Sequence, residues 1–268
     1  MSNPPPSPLL SATILLIREA PDLQVFMAKR HHQIDFASGA LVFPGGKCTD
    51  DDRRPEWADH IDGDLGPLTV AGIAAVRETF EESGLLLCRP ANDRGADKPL
   101  AGANIADSLA GHRAAVDRGE ESFLDLLDGA GLVIALDRLV HFAHWVTPTV
   151  MPKRFDTHFF LARVPQGQIA EHDGREVTDS EWIAPADALT RAANGQATIL
   201  FPTRLNLEVL GEAESVAAAL DQAAARDVVE VMPVIEKGED GIDWLTIPAE
   251  AGYKTTKVNV ALERGRKA

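Results

Sequence analysis

The apolar positions come first in short runs. Residues 10–17 and 23–28 are two strand-length hydrophobic stretches separated by the polar turn Glu19-Ala20-Pro21-Asp22, a pattern that predicts a β-hairpin. Ala40-Leu41-Val42-Phe43 predicts a third short strand, stopped by Pro44-Gly45-Gly46. Residues 47–68 are polar and rich in Asp, Gly and Pro, and read as a loop with one turn around Trp57. From Thr69 the period changes: Thr69 is placed to N-cap a helix, Ala74 and Ala75 favour it, and Gly84 suits its C-cap. Ile73, Val76 and Phe80 form its apolar stripe. Residues 105–127 show helical periodicity, and strands are expected over 139–147, 157–164 and 180–183. Helices over 185–194 and 212–226 follow, then strand-like stretches at 228–231, 244–247 and 257–262. This mixed order lacks βαβ regularity, so an α+β fold is expected.

Composition narrows the function classes. A chain of 268 residues makes one large domain or an ordinary domain with insertions. Its net charge of −15 argues against nucleic acid as a partner, and it requires divalent cations or local Arg and Lys if the substrate is anionic. No window approaches the eighteen apolar residues of a membrane span. Residues 1–8 read as a disordered, uncharged, Pro-rich leader rather than a signal peptide, so no membrane association and a cytoplasmic enzyme are expected. Cys48 and Cys88 stand outside any zinc-type spacing and read as reduced and incidental.

The informative stretch is Arg77-Glu78-Thr79-Phe80-Glu81-Glu82-Ser83-Gly84-Leu85. On a helix, Glu78, Glu81 and Glu82 share one face and repel one another. A solvated acidic face is the ordinary explanation. A hard divalent cation is the alternative, because Mg²⁺ takes oxygen ligands and keeps waters for a phosphate to replace. Arg77 borders the face and can fix Glu78 by a charge-assisted hydrogen bond. The strand ending in Pro44-Gly45-Gly46 exposes carbonyls and permits close approach of another element, which tips the balance toward the cation.

These residues resemble the signature of the Nudix hydrolases: Gly, five residues, Glu, seven residues, then Arg-Glu-aliphatic-any-Glu-Glu-any-Gly-aliphatic. Thr79 replaces the aliphatic position. Thirty-one positions separate Gly46 from Arg77 where the family has fourteen, so the box carries a 17-residue insertion. Counting back from Arg77 puts the family's upstream Glu on Thr69. The resemblance implies an α/β/α sandwich with a mixed sheet and a helical insertion. It implies Mg²⁺ or Mn²⁺ held by Glu81, Glu82 and the Gly45 carbonyl, with Glu78 as ligand or base. A loop carboxylate before a Trp-containing strand suggests Glu176, six residues before Trp182, as a second candidate base, with Glu171, Asp173, Asp179 and Glu181 as competitors. The expected domain covers 9–210, with insertions at about 47–68 and 100–130, and residues 211–268 add a helix and short strands packed on it.

Residues 36–46, His144-Trp145-Val146-Thr147-Pro148 and Lys153-Arg154-Phe155-Asp156-Thr157-His158-Phe159-Phe160 are similar to the subgroup that includes the peroxisomal acyl-coenzyme A diphosphatase and its bacterial relatives. That implies a nucleoside diphosphate substrate of coenzyme A type, cleaved to 3′,5′-ADP and (acyl-)phosphopantetheine. Arg30 and Gly39 match a related coenzyme A signature, but Ile34-Asp35-Phe36-Ala37 departs from it. Lys153 and Arg154 suit a phosphate group, or else form a solvated turn after Pro152. Arg30 with His31 and His32 is placed to face substrate, whereas His141 and His144 are expected to pack at a sheet surface. ADP-ribose, NADH or a dinucleoside polyphosphate is the rival substrate, and a nucleotide-binding sensor without catalysis the rival class. Oligomeric state is left open, with a homodimer among the options.

Overall fold

The computed structural model describes residues 5–30, 40–170, 177–239 and 241–261. The hairpin expected from the first two apolar runs is present as β1 (Leu9–Glu19) and β2 (Leu23–Arg30), paired antiparallel at their joined ends. Beyond the hairpin the two strands diverge. The gap is filled by β3 (Ala40–Val42), which pairs with β2, and by β4 (Gly45–Lys47), which pairs with β1. β3 ends at Val42, as the Pro-Gly-Gly stop predicts, and Gly45-Gly46 then re-enters the sheet as a new strand, with the Ile14 amide donating to the Pro44 carbonyl at 2.9 Å.

The segment expected to be loop holds two 3₁₀ turns, at Asp51–Arg53 and Pro55–Asp59, and the two-residue strand β5 (Ile61–Asp62). Helix α1 (Thr69–Ser83) follows, then β6 (Cys88–Pro90). The helical periodicity over 105–127 is not one helix. It resolves into α2 (Ala103–Leu109), α3 (Arg113–Asp117) and α4 (Phe123–Ala130), with Gly119 turning left-handed at φ 66° between the last two. Strand β7 (Leu132–Ala135) then joins β5 and β6 in a small separate sheet, ordered β5-β7-β6.

The main sheet continues with β8 (Val140–Val146), β9 (Phe155–Arg163) and β10 (Val177–Ile183). After α5 (Pro185–Ala193) come β11 (Thr198–Ile199), an unanticipated helix α6 (Phe201–Leu210), α7 (Val216–Ala225) and β12 (Glu230–Val231). The chain then forms a three-stranded sheet from β13 (Val234–Lys237), β14 (Asp243–Thr246) and β15 (Lys257–Asn259). Helix α7 begins later than expected because Ser215 caps it, its hydroxyl accepting from the Ala218 amide.

Strand β1 is the centre of the molecule. It runs parallel to β9 on one side and antiparallel to β2 and β4 on the other. Ala12, Ile14 and Leu16 face a core that contains Ile73, Val76 and Phe80 of α1 and Phe123 of α4. Leu15 and Ile17 face a second core with Leu205 and Leu207 of α6 and Val216 of α7. A strand buried on both faces reads as an uninterrupted apolar run, which explains residues 14–17. Helices thus cover both faces of a mixed sheet, the expected α/β/α sandwich. Trp145 of β8 donates to the Tyr253 hydroxyl, which donates to Asn206 of α6, tying the late chain to the sheet through buried hydrogen bonds. Among the described residues no helix is long and apolar enough to cross a membrane.

Candidate active site

Helix α1 is entered through a 3₁₀ turn at Gly66–Leu68. Thr69 already has helical angles and its hydroxyl donates to the Gly66 carbonyl at 2.9 Å, so it is the first helical residue and not the N-cap. The exit is as expected: Gly84 is left-handed at φ 73° and its amide returns to the Phe80 carbonyl.

The glutamate-bearing face of α1 packs against β4 at very close range. A Cβ on Gly46 would lie 2.4 Å from Glu78 Oε1, and one on Gly45 would lie 2.4 Å from the Ala12 carbonyl oxygen. Only glycine leaves room for the Glu78 carboxylate and for β1 at these two positions. The Gly45 amide donates to Glu82 Oε2 at 3.2 Å, so the Pro-Gly-Gly backbone meets the helix carboxylates directly.

Arg77 organises the cluster. Its guanidinium forms a fork with Asp52, Nε to Oδ1 at 2.8 Å and Nη2 to Oδ2 at 3.0 Å. Nη2 also donates to the Lys47 carbonyl at 2.8 Å, and Nη1 donates to Glu78 Oε1 and Glu81 Oε1, each at 3.0 Å. Asp52 is the functional candidate that counting back from Arg77 overlooked. Counting forward from Gly46 reaches an acidic residue after five intervening positions, and that residue is Asp52. The insertion therefore lies after the acidic residue of the signature, between it and Arg77. Thr69 has no part in this network.

Arg77 is 5% exposed, Asp52 1%, Glu81 6% and Glu82 8%. With Glu78 these place four carboxylates around the Arg77 guanidinium. Burial opposes the Arg77 charge, but Asp52, Glu78 and Glu81 outweigh it and raise its pKa further. Burial, with the neighbouring Glu78 charge, pushes Glu81 up to about 8 against the pull of Arg77. Converging hard oxygen donors of this kind fit a divalent cation, which would relieve both their mutual repulsion and the desolvation of Glu81.

The insertions support this face. Asp51 accepts from the Ser122 hydroxyl and the Phe123 amide, joining the 47–68 segment to the start of α4. Arg113 of α3 donates twice to the Glu81 carbonyl, at 3.1 and 3.0 Å, near the C-terminus of α1 where a cation suits the helix dipole.

The remaining candidates separate. Glu176, Glu171, Asp173, His31 and His32 lie outside the described residues, as does the side chain of Arg30. Glu181 is paired with Arg191 at 2.7 Å. Lys153 is exposed, with its ammonium over the Phe155 ring. Arg154 has another task than phosphate binding. It is 8% exposed and donates to the Thr147 carbonyl, the Pro6 carbonyl and Met232 Sδ, so it fastens three distant segments together. Its position after Pro152 suggested a solvated or ligand-facing turn, and only tertiary packing reveals otherwise.

A family model described as the NUDT19 Nudix domain matches residues 64–208. The acyl-coenzyme A diphosphatase NUDT19 of Xenopus laevis is 28% identical, the alignment covering 87% of this chain and 72% of that protein. The Homo sapiens protein of the same description is also 28% identical, with 70% of this chain and 56% of that protein covered. A solved NUDIX hydrolase from Alicyclobacillus acidocaldarius superposes with a TM-score of 0.67 at 27% identity, covering 80% of this chain and 96% of that one.

Proposed function

The chain belongs to the Nudix hydrolases, within the NUDT19 Nudix domain family, and is a Nudix diphosphatase; on that premise we propose that it cleaves coenzyme A or an acyl-CoA to 3′,5′-ADP and (acyl-)phosphopantetheine with Mg²⁺ or Mn²⁺. The observation that carries the metal reading is the convergence of the Glu78, Glu81 and Glu82 carboxylates against the Gly45-Gly46 backbone, ordered by Arg77. Glu81, Glu82 and the Gly45 carbonyl would hold the ion, with Glu78 either a further ligand or the base. Such an ion lowers the pKa of bound water and neutralises charge on the diphosphate.

The protein groups do the positioning. Arg77, clamped by Asp52 and the Lys47 carbonyl, fixes Glu78 and Glu81 in single rotamers. Where Glu78, lying against Gly46, is not a ligand, it takes the proton of the attacking water, with Glu176 as the alternative base. Lys153 and Arg30 supply positive charge for the substrate phosphates, an assignment that the committed contacts of Arg154 make more dependent on these two. The coenzyme A preference is supported by the descriptions of the frog and human relatives.

The test is a substrate panel: coenzyme A, an acyl-CoA, ADP-ribose, NADH and a dinucleoside polyphosphate, each with Mg²⁺ or Mn²⁺, with products separated by chromatography. Release of 3′,5′-ADP at the highest kcat/KM supports the proposal. Preferential turnover of ADP-ribose, NADH or the dinucleoside polyphosphate overturns the coenzyme A assignment, and binding without products overturns catalysis.

A further inference from the structure

On the sheet face that carries α1, three histidines and an aspartate converge without any part in the glutamate site. His144 Nε2 lies 2.6 Å from Asp156 Oδ1, and His158 Nε2 lies 4.0 Å from the same oxygen. His144, Asp156 and His158 each offer a ligand atom within 4.8 Å of the other two. The imidazoles of His144 and His158 stack with centroids 4.1 Å apart. His158 Nδ1 is 3.2 Å from His141 Nε2, behind the cluster.

Two features of the backbone build this arrangement. In a regular strand His141 and His144, three residues apart, would face opposite sides. The register of β8 against β9 shifts between His141, opposite Phe160, and Ala143, opposite Phe159, so Phe142 is the extra residue of a bulge. The bulge sends Phe142 and Ala143 into the second core and brings His141 to the side of His144 and His158. Bulges recur where a strand must re-aim a side chain. Strand β9 contributes Asp156 and His158, two apart and therefore on one face.

We propose that His144, Asp156 and His158 form a second cation site, selective for a borderline divalent ion of the Zn²⁺ class. Two imidazoles and one carboxylate are a three-protein-ligand set that leaves a coordination position open. Ligands about 2.1 Å from a tetrahedral ion sit about 3.4 Å apart, so the His144–Asp156 pair must open by under an ångström and the His158–Asp156 pair must close by a similar amount. His141 serves as the orienting partner: accepting from His158 Nδ1–H, it leaves the Nε2 lone pair of His158 directed at the ion. The side chains of His144, Asp156 and His158 are 17%, 32% and 11% exposed, which leaves an entry path.

The site lies beside the glutamate cluster yet is separate from it. Gly46 pairs with Ala12, Ala12 with His158, and His158 with His144, a row across neighbouring strands on one face. With strands about 4.8 Å apart, Gly46, against which the Glu78 carboxylate rests, is about 10 Å from His158. The proposal stands on this cluster and does not require the coenzyme A assignment.

The test titrates metal-free full-length protein with Zn²⁺ by calorimetry, in excess Mg²⁺, and with Co²⁺ by visible absorption. One tightly held Zn²⁺ and a Co²⁺ ligand-field band are expected. His144→Gln and His158→Gln should weaken Zn²⁺ binding at least tenfold, while Glu81→Gln and Glu82→Gln retain it. If a histidine variant does not fold, imidazole nitrogen spectra of the wild type keep the test open: Zn²⁺ should shift His144 and His158 Nε2. Zn²⁺ that fails to bind, or that is lost in the glutamate variants and kept in the histidine variants, overturns the site.

Discussion

Two of the buried arginines, Arg77 and Arg89, each gather several carboxylates, and their surroundings differ in one respect that matters. Arg89, fully buried, is held by Asp62 and Asp137 and donates to the Gly95 carbonyl at 2.6 Å. The side chains of both aspartates keep some contact with water, at 17% and 15% exposure. Arg77 is held by Asp52, Glu78 and Glu81, with Glu82 alongside, and Asp52 and Glu81 are almost entirely removed from water. The first network joins β6 to the β5 and β7 end of the small sheet, and Arg138, 3.3 Å from Asp137, supplies a second positive charge to its two carboxylates. The second gathers four carboxylates of α1 and the Asp52 turn around a single arginine, against the Gly45-Gly46 backbone. Such a convergence of carboxylates on one helix face is what the proposed cation site requires, and the Arg89 network has no counterpart to it.

The largest expected effect separates the two networks by function. Glu81→Gln or Glu82→Gln should lower kcat/KM by about a thousandfold or more, since a bound ion supplies several kcal/mol of transition-state charge stabilisation. Thermal unfolding of the same variants should show an intact fold. Wild-type turnover on the best substrate would sink the metal assignment. Arg89→Met should do the opposite: it should destabilise the protein by about 3 kcal/mol in urea unfolding, by leaving two partly buried carboxylates without their partner. The fraction that remains folded should turn over normally. A loss of kcat at full folding would show that the Arg89 network also reaches the chemistry.

The contrast also explains what was legible in the sequence. Glu78, Glu81 and Glu82 could be placed on one face because helical spacing is a local property. Asp52 is not legible locally because its partner lies 25 residues away, across an insertion that changes its spacing from Arg77. The β5-β7-β6 sheet was hidden for a related reason: its strands are two, three and four residues long, too short for alternation to register. Arg154 and the histidine cluster depend on tertiary contacts and on a bulge at Phe142, neither of which leaves a periodic trace. The hairpin, the body of α1 and the β8 and β9 strands, whose apolar patterns are long, are legible, whereas the start of α1 and the bulge in β8 are not.

A smaller effect is expected from the residue that supports Arg77 without touching substrate. Asp52→Asn should lower kcat/KM by about 10- to 100-fold, the usual cost of losing a partner that orients metal ligands. Asp52→Glu should restore part of it, because a carboxylate is again available to the guanidinium fork. Equal loss in both variants would mean that Asp52 acts through packing of the 3₁₀ turn rather than through Arg77.

The smallest effect is a pH dependence that Arg89 cannot produce. Glu81 is raised from 4.5 to about 8 by burial and by the Glu78 charge, so the folded, ion-free protein binds its proton more tightly than the unfolded chain does. Its contribution to stability is therefore fully present below pH 4.5 and is lost as pH rises toward 8. Glu81→Gln removes the titration, so in chelator the variant should gain stability relative to wild type across that window and hold the gain above it. Mg²⁺ should stabilise wild type most at the alkaline end, where the carboxylate is ionised, and should do little for the variant. Chemical denaturation at a series of pH values, with and without Mg²⁺, reads both trends. A wild-type-minus-variant difference that stays flat with pH would mean that Arg77 already balances Glu81, and the convergence of carboxylates that distinguishes the two arginine networks would lose its energetic meaning.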